Sequence, residues 1–220
     1  MSINYHAYQC RNFKFDDYEK IALQWREAFT GFDPERAARI LDLIQEEGRL
    51  YIPYFGTPYR LRLQDGVLEK KTGEEWTHDL WFNEALVIYH ILNDVADEPR
   101  QAGEMIPNTE LDPAARGNSR QEDILFSDFS RKASGRTEQL KKACLANGGI
   151  AFPSKADAAF LFRPFPQIPL QLLFWDEDED FPAKVQVLVD RYVTDYLHPE
   201  STGCLISDLF EMLSPKLADE

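Results

Sequence analysis

The chain has 220 residues, 44% of them hydrophobic and 13% aromatic, which supplies a sizeable core and excludes disorder throughout. Twenty-four Lys and Arg against 38 Asp and Glu leave a formal net charge of −14. Such a chain repels DNA and RNA unless a strong basic patch exists, and no basic run is present. Cys10, Cys144 and Cys204 are odd in number and far apart, which is neither a disulfide framework nor the spacing of a zinc or iron–sulfur site. The first residues carry no basic stretch followed by an apolar one, and no apolar run nears the ~20 residues that span a bilayer. The expectation is a cytoplasmic protein with free thiols and no membrane or nucleic-acid partner.

Tyr18, Ile21, Ala22, Trp25, Phe29 and Phe32 fall on one face of a helix that Asp16 or Asp17 can cap and Gly31 can end. Asp33-Pro34 starts a second helix, with Ala37, Ile40, Leu41 and Ile44 facing the core and Gly48 as the stop. Period two follows. Leu50, Ile52 and Tyr54, then Tyr59, Leu61 and Leu63, alternate with outward residues, and Asp65-Gly66 marks a tight hairpin into Val67-Leu68. Asp79 to Val95 returns to helix, apolar on more than one side and so buried.

Asp97 to Gln121 lacks periodicity and holds three prolines and two glycines, so it reads as a long loop. Asp123–Gly135 and Thr137–Asn147 read as short helices, and Ala159–Arg163, Leu170–Trp175 and Lys184–Val189 as strands. Leu205, Ile206, Leu209 and Leu213 line a closing helix. Together these predict one α+β domain over residues 1–220. Its parts are a helical N-terminal part, a small antiparallel meander, a central buried helix, a C-terminal antiparallel strand unit and the closing helix.

Chemistry-bearing motifs are sparse. There is no nucleophile elbow, no phosphate-cradling glycine motif and no paired-histidine metal spacing. His90 and Asp94 stand four apart on the central helix, which permits an imidazole–carboxylate bond or simply a satisfied, half-buried histidine. Cys204, after Thr202-Gly203 near a helix start, is either activated by the helix dipole or a buried structural thiol.

The conspicuous feature is Asp176-Glu177-Asp178-Glu179-Asp180, between Phe174-Trp175 and Phe181-Pro182. Four readings fit it. It is a solvated hairpin tip, a surface that steers a basic partner, a charged guard against strand-edge aggregation, or a hard-cation site in which Asp190 joins Asp178 and Glu179. The candidate binding residues are therefore Trp175, Asp178, Glu179, Asp180 and Asp190. Asp178, Glu179 and Asp190 are the speculative metal ligands. No catalytic residue and no cofactor is identified.

The run Phe165-Pro166-Gln167-Ile168-Pro169-Leu170, then Leu173-Phe174-Trp175, then Asp178-Glu179-Asp180-Phe181-Pro182-Ala183, resembles the signature of an uncharacterised prokaryotic domain-of-unknown-function family. That family reads approximately P-x-x-P-L, an apolar strand ending in Trp, a D-E-E-F-P-like turn and a strand ending L-F-D. This chain has Asp180 for the second Glu and Leu188-Val189-Asp190 at the last point. Leu86–Leu92 and Gly103-Glu104 resemble the family's apolar helix and Gly-Glu loop, and the likeness spans roughly residues 30 to 215. It implies that Trp175, Asp178, Glu179, Phe181, Pro182 and Asp190 form one motif. It also implies, at most, an accessory role beside iron–sulfur or corrinoid-dependent proteins. Whether the chain is an enzyme stays open, and the expected function is binding a protein partner or small ligand near residues 175–190. The alternative is a divalent-metal-dependent enzyme using carboxylates of the same region.

Overall fold

The computed structural model describes residues 29, 32–111 and 119–217. All but two residues of the first predicted helix lie outside this set. Helix α1, Pro34–Leu41, starts as expected. Asp33 Oδ1 accepts the Arg36 N–H at 2.9 Å and proline occupies the first turn. It ends earlier than predicted, at Asp42 in the left-handed region. Ile44 is therefore not a helical core residue; it lies in strand β1, Ile44–Glu46, and is 61% exposed. The reason is the Glu47-Gly48 turn, where both φ angles are positive. That turn geometry folds β1 back on β2, Arg49–Tyr54, so Gly48 belongs to a hairpin and not to a helix stop.

Strands β3, Thr57–Arg62, β4, Leu68–Thr72, and β5, Glu75–Thr77, complete a five-stranded antiparallel meander in the order β1-β2-β3-β4-β5. Leu50, Ile52, Tyr54, Tyr59, Leu61 and Leu68 point inward as the period-two pattern requires. Helix α2, Phe82–Asp94, covers this face, and its residues from Glu84 to Leu92 are all buried.

The predicted 97–121 loop is partly regular. Met105–Pro107 forms β6, an edge strand paired with Leu188–Asp190, and helix α3 spans Ser119–Ala133. A three-residue strand leaves too short a pattern to read, and Pro107 is tolerated because it lies at an edge. Helix α4, Thr137–Ala146, and strand β7, Ile150–Ala151, lead into β8, Ala158–Phe165, β9, Ile168–Trp175, and β10, Lys184–Asp190. The second sheet is antiparallel in the order β6-β10-β9-β8-β7. Helix α5, Pro199–Leu213, closes the fold.

The architecture is α+β, and one cluster of buried residues runs through both sheets and the helices between them. The sheets meet where Phe55 N–H donates to Pro164 O at 2.9 Å and the Tyr54 and Phe165 rings lie 5.1 Å apart. Helix α5 packs against α2 on one side, and Phe210 stacks on Phe129 of α3 at 4.1 Å on another. Cys204 sits inside α5 and is 1% exposed, a buried thiol rather than one at the first turn. No helix among the described residues is long and apolar enough to cross a membrane.

Candidate functional site

The acidic turn joins β9 to β10, where Trp175 pairs with Lys184. Its five acids do different work. Asp176 Oδ1 accepts the Gly135 and Glu177 N–H groups at 2.8 and 2.9 Å, and Oδ2 accepts the Thr137 hydroxyl at 2.6 Å. Burial pushes the Asp176 carboxyl up, but the Thr137 and Gly135 hydrogen bonds outweigh it and hold the carboxyl below its usual range. Asp176 thus ties the turn to the start of α4. Asp178 Oδ1 accepts the Asp180 and Phe181 N–H groups at 2.9 and 2.8 Å, and the Asp178 N–H donates to Phe181 O at 3.0 Å. This is a closed Asx turn. Glu177, Glu179 and Asp180 project into solvent, with Phe181 among them at 71% exposure, while Trp175 is half-buried behind them.

Asp190 is not part of this cluster. It ends β10 while Asp178 precedes its start, and the strand sets them on the order of 20 Å apart. Asp190 is 4% exposed. Its Oδ1 accepts the Ala102 and Tyr192 N–H groups at 3.1 and 2.9 Å, and its Oδ2 accepts Gly103 N–H at 2.9 Å. One cation with oxygen ligands near 2–2.6 Å does not bridge that separation. Among the described residues, no three His, Cys, Asp or Glu gather as a metal site.

His90 pairs elsewhere than expected. Its Nδ1 is hydrogen-bonded to Ser201 Oγ on α5, whereas Asp94 is exposed and accepts from Asn93 at 2.7 Å. Burial, then the charge of His198, lowers the His90 imidazole to about 4, so it is neutral at pH 7. Ser201 is 0% exposed, so the pair lies inside the α2–α5 contact with no access to a substrate.

A second polar cluster, which the sequence reading passed over, lies between the first sheet, α2 and α5. Tyr59 Oη donates to Glu84 Oε2 at 2.7 Å, Lys70 Nζ donates to the same oxygen at 2.8 Å, and Trp81 N–H donates to Oε1 at 2.9 Å. Beside it Tyr54 Oη donates to Asp208 Oδ2 at 2.7 Å. Burial is the largest influence on Asp208 and raises its carboxyl to about 7; Glu84 adds to the rise, while Tyr54, Asn83 and Lys70 oppose it. Burial and the neighbouring carboxylates push both tyrosines up as well. The available signal was an acid inside an apolar stripe. Glu84 stands in register with Val87, Ile88 and Ile91, and Asp208 interrupts Leu205–Leu209.

Compared with known proteins, residues 33–212 match the family model described as domain of unknown function DUF3786, and the chain belongs to that family. No curated protein and no solved structure matches it.

Proposed function

We propose that this is a cytoplasmic binding or accessory protein that docks, through the turn 175–182, onto a basic partner protein with an apolar recess. The supporting observation is Phe181, 71% exposed on a turn whose backbone is fixed by Asp178 and whose base is tied to α4 by Asp176. An exposed aromatic costs apolar hydration unless a partner covers it, and a rigid turn loses little entropy when it binds. Glu177, Glu179 and Asp180 around it favour a basic surface and speed encounter with it. The buried free thiols Cys144 and Cys204 suit a reducing compartment.

The test is affinity capture from an extract of the source cells, comparing the native chain with a Phe181→Ser, Glu179→Gln, Asp180→Asn variant. The expected result is a discrete protein held by the native chain at low salt, released at high salt and not held by the variant. Retention of the same proteins by both, at equal melting temperature, would overturn the proposal.

A further inference from the structure

We propose that the solvent face of the second sheet is the contact surface of a homodimer, on which a second copy of this chain stacks with its β8 antiparallel to β8 of the first. Leu170, Leu172, Phe174, Val185, Val187 and Val189 turn the other face of this sheet into the core, where the helices pack. Cross-strand pairs share a face, so Pro107, Leu188, Gln171, Leu161 and Ile150 form one outward row over all five strands. Leu173 and Trp175 extend it along β9. Ile150 is 61% exposed and the other six keep partial contact with solvent. A chain with 38 acids puts one acid in these five strands, Asp190, and it is buried. The face is therefore a part of this −14 molecule that a second copy approaches without setting carboxylate against carboxylate.

The charges at the rim of the face select that occupant and its orientation. Asp157 precedes β8 and Arg163 lies near its end, both exposed and evenly placed about Phe160. By strand alternation Ala159 and Leu161 stand between them on the same side. Asp157 Oδ2 accepts the Asp176 N–H at 2.8 Å and Arg163 Nη1 donates to Pro166 O at 2.8 Å, and among the described residues neither is in an ion pair. The outward order of acid, Ala, Leu and base is complementary to itself when read antiparallel. A two-fold axis between the sheets, crossing the strands over Phe160, sets Arg163 of each copy beside Asp157 of the partner subunit. Sheets packed face to face lie about 10 Å apart with strands within about 30°, a gap that arginine and aspartate side chains span together. At ~3.4 Å per residue and ~4.8 Å between strands, β8, β9 and β10 with the two short strands give a footprint on the order of 450 Å². Two such faces fall at the small end of specific interfaces, so the dimer is weak and depends on concentration.

The experiment is sedimentation velocity of the full chain from about 1 to 500 μM, repeated for Arg163→Asp, for Asp157→Arg and for their equimolar mixture. The expected result is a monomer–dimer equilibrium in the native chain, weakened at least about tenfold in each variant alone, where like charges face each other. The mixture recovers dimers, because a copy with two acids then meets a copy with two bases. Leu161→Gln weakens the native dimer without touching a charge, and serves if loss of the Asp176 contact unfolds Asp157→Arg. A native chain that stays monomeric throughout the series leaves the face to a different protein and overturns the proposal. Equal association of the native chain, Arg163→Asp and Leu161→Gln, or a mixture of folded variants that stays monomeric, overturns it as well.

Discussion

Asp190 Oδ2 accepts the N–H of Gly103 at 2.9 Å, joining the end of β10 to a segment 87 residues earlier in the chain. The same carboxylate takes Ala102 and Tyr192, so three backbone donors converge on one buried side chain. The neighbouring Arg191–Glu104 pair, with contacts of 2.6 and 2.7 Å, ties the same exposed segment to the end of β10 at the surface. Asp190 is therefore the anchor that lets β6 reach the sheet edge.

Asp190→Ala removes the acceptor and leaves those amides without it, at a cost of about 3 kcal/mol. Urea denaturation measures the loss, and hydrogen exchange at Ala102, Gly103 and Tyr192 accelerates before global unfolding. Unchanged protection at those three amides would show that the anchor lies elsewhere.

Much of the fold was legible because burial imposes its period on the sequence. Strands β8 to β10 and helix α2 stand where alternation and the broad apolar face put them, since each buries a full face. Ile44 was misread because Ala37, Ile40, Leu41 and Ile44 satisfy helical spacing. The competing hairpin depends on Glu47 adopting positive φ, which its side chain does not advertise. β6 escaped because its identity comes from its partner β10, not from its own three residues. The acidic turn was visible as composition, but its division of labour was not. Only coordinates separate Asp176 and Asp178, spent on backbone donors, from Glu179 and Asp180, which face solvent. Asp190 was grouped with them by motif, and the length of β10 parts them. The Tyr54–Asp208 and Tyr59–Glu84 pairs join residues 154 and 25 apart, separations at which sequence spacing carries no contact information.

Gly149 is predicted to tolerate no side chain. A Cβ there would stand 2.8 Å from Cys144 O and 2.8 Å from Phe162 Cζ, one a helix carbonyl and the other a core ring. Gly149→Ala forces α4 away from β8 and costs about 1–3 kcal/mol. Thermal unfolding checks it. Gly148→Ala is the contrast, because a Cβ at Gly148 meets nothing within 4 Å and its cost comes from φ of +78° alone.

The Tyr59–Glu84–Lys70 arrangement predicts strong coupling. Tyr59→Phe alone leaves Glu84 with Lys70 and Trp81, and costs about 1 kcal/mol. Lys70→Met removes the positive partner of a 7%-exposed carboxylate and costs more, about 3 kcal/mol. The double variant falls short of the sum or exceeds it by at least 0.5 kcal/mol, because both act on one oxygen. Strict additivity in a double-mutant cycle would refute a shared network.

Opposed titrations predict a flattened acid profile of stability. His90 falls from 6.5 to about 4 on folding, so the unfolded chain binds the extra proton between those values. Its contribution is complete above pH 6.5 and is lost as pH falls through about 4, a swing of about 3 kcal/mol. Asp208 rises from 3.8 to about 7, so there the folded chain holds the extra proton. Its contribution is complete below pH 3.8 and is lost as pH rises through 7, reduced in size by its partial exposure. Over pH 4 to 6.5 the two slopes oppose each other. Asp208→Asn mimics the protonated acid and deletes one of them. The variant should match the native chain near pH 4, exceed it in stability at pH 8, and climb more steeply in between. Urea midpoints measured every half pH unit decide it, and parallel profiles for the two proteins would mean that Asp208 does not titrate in this range.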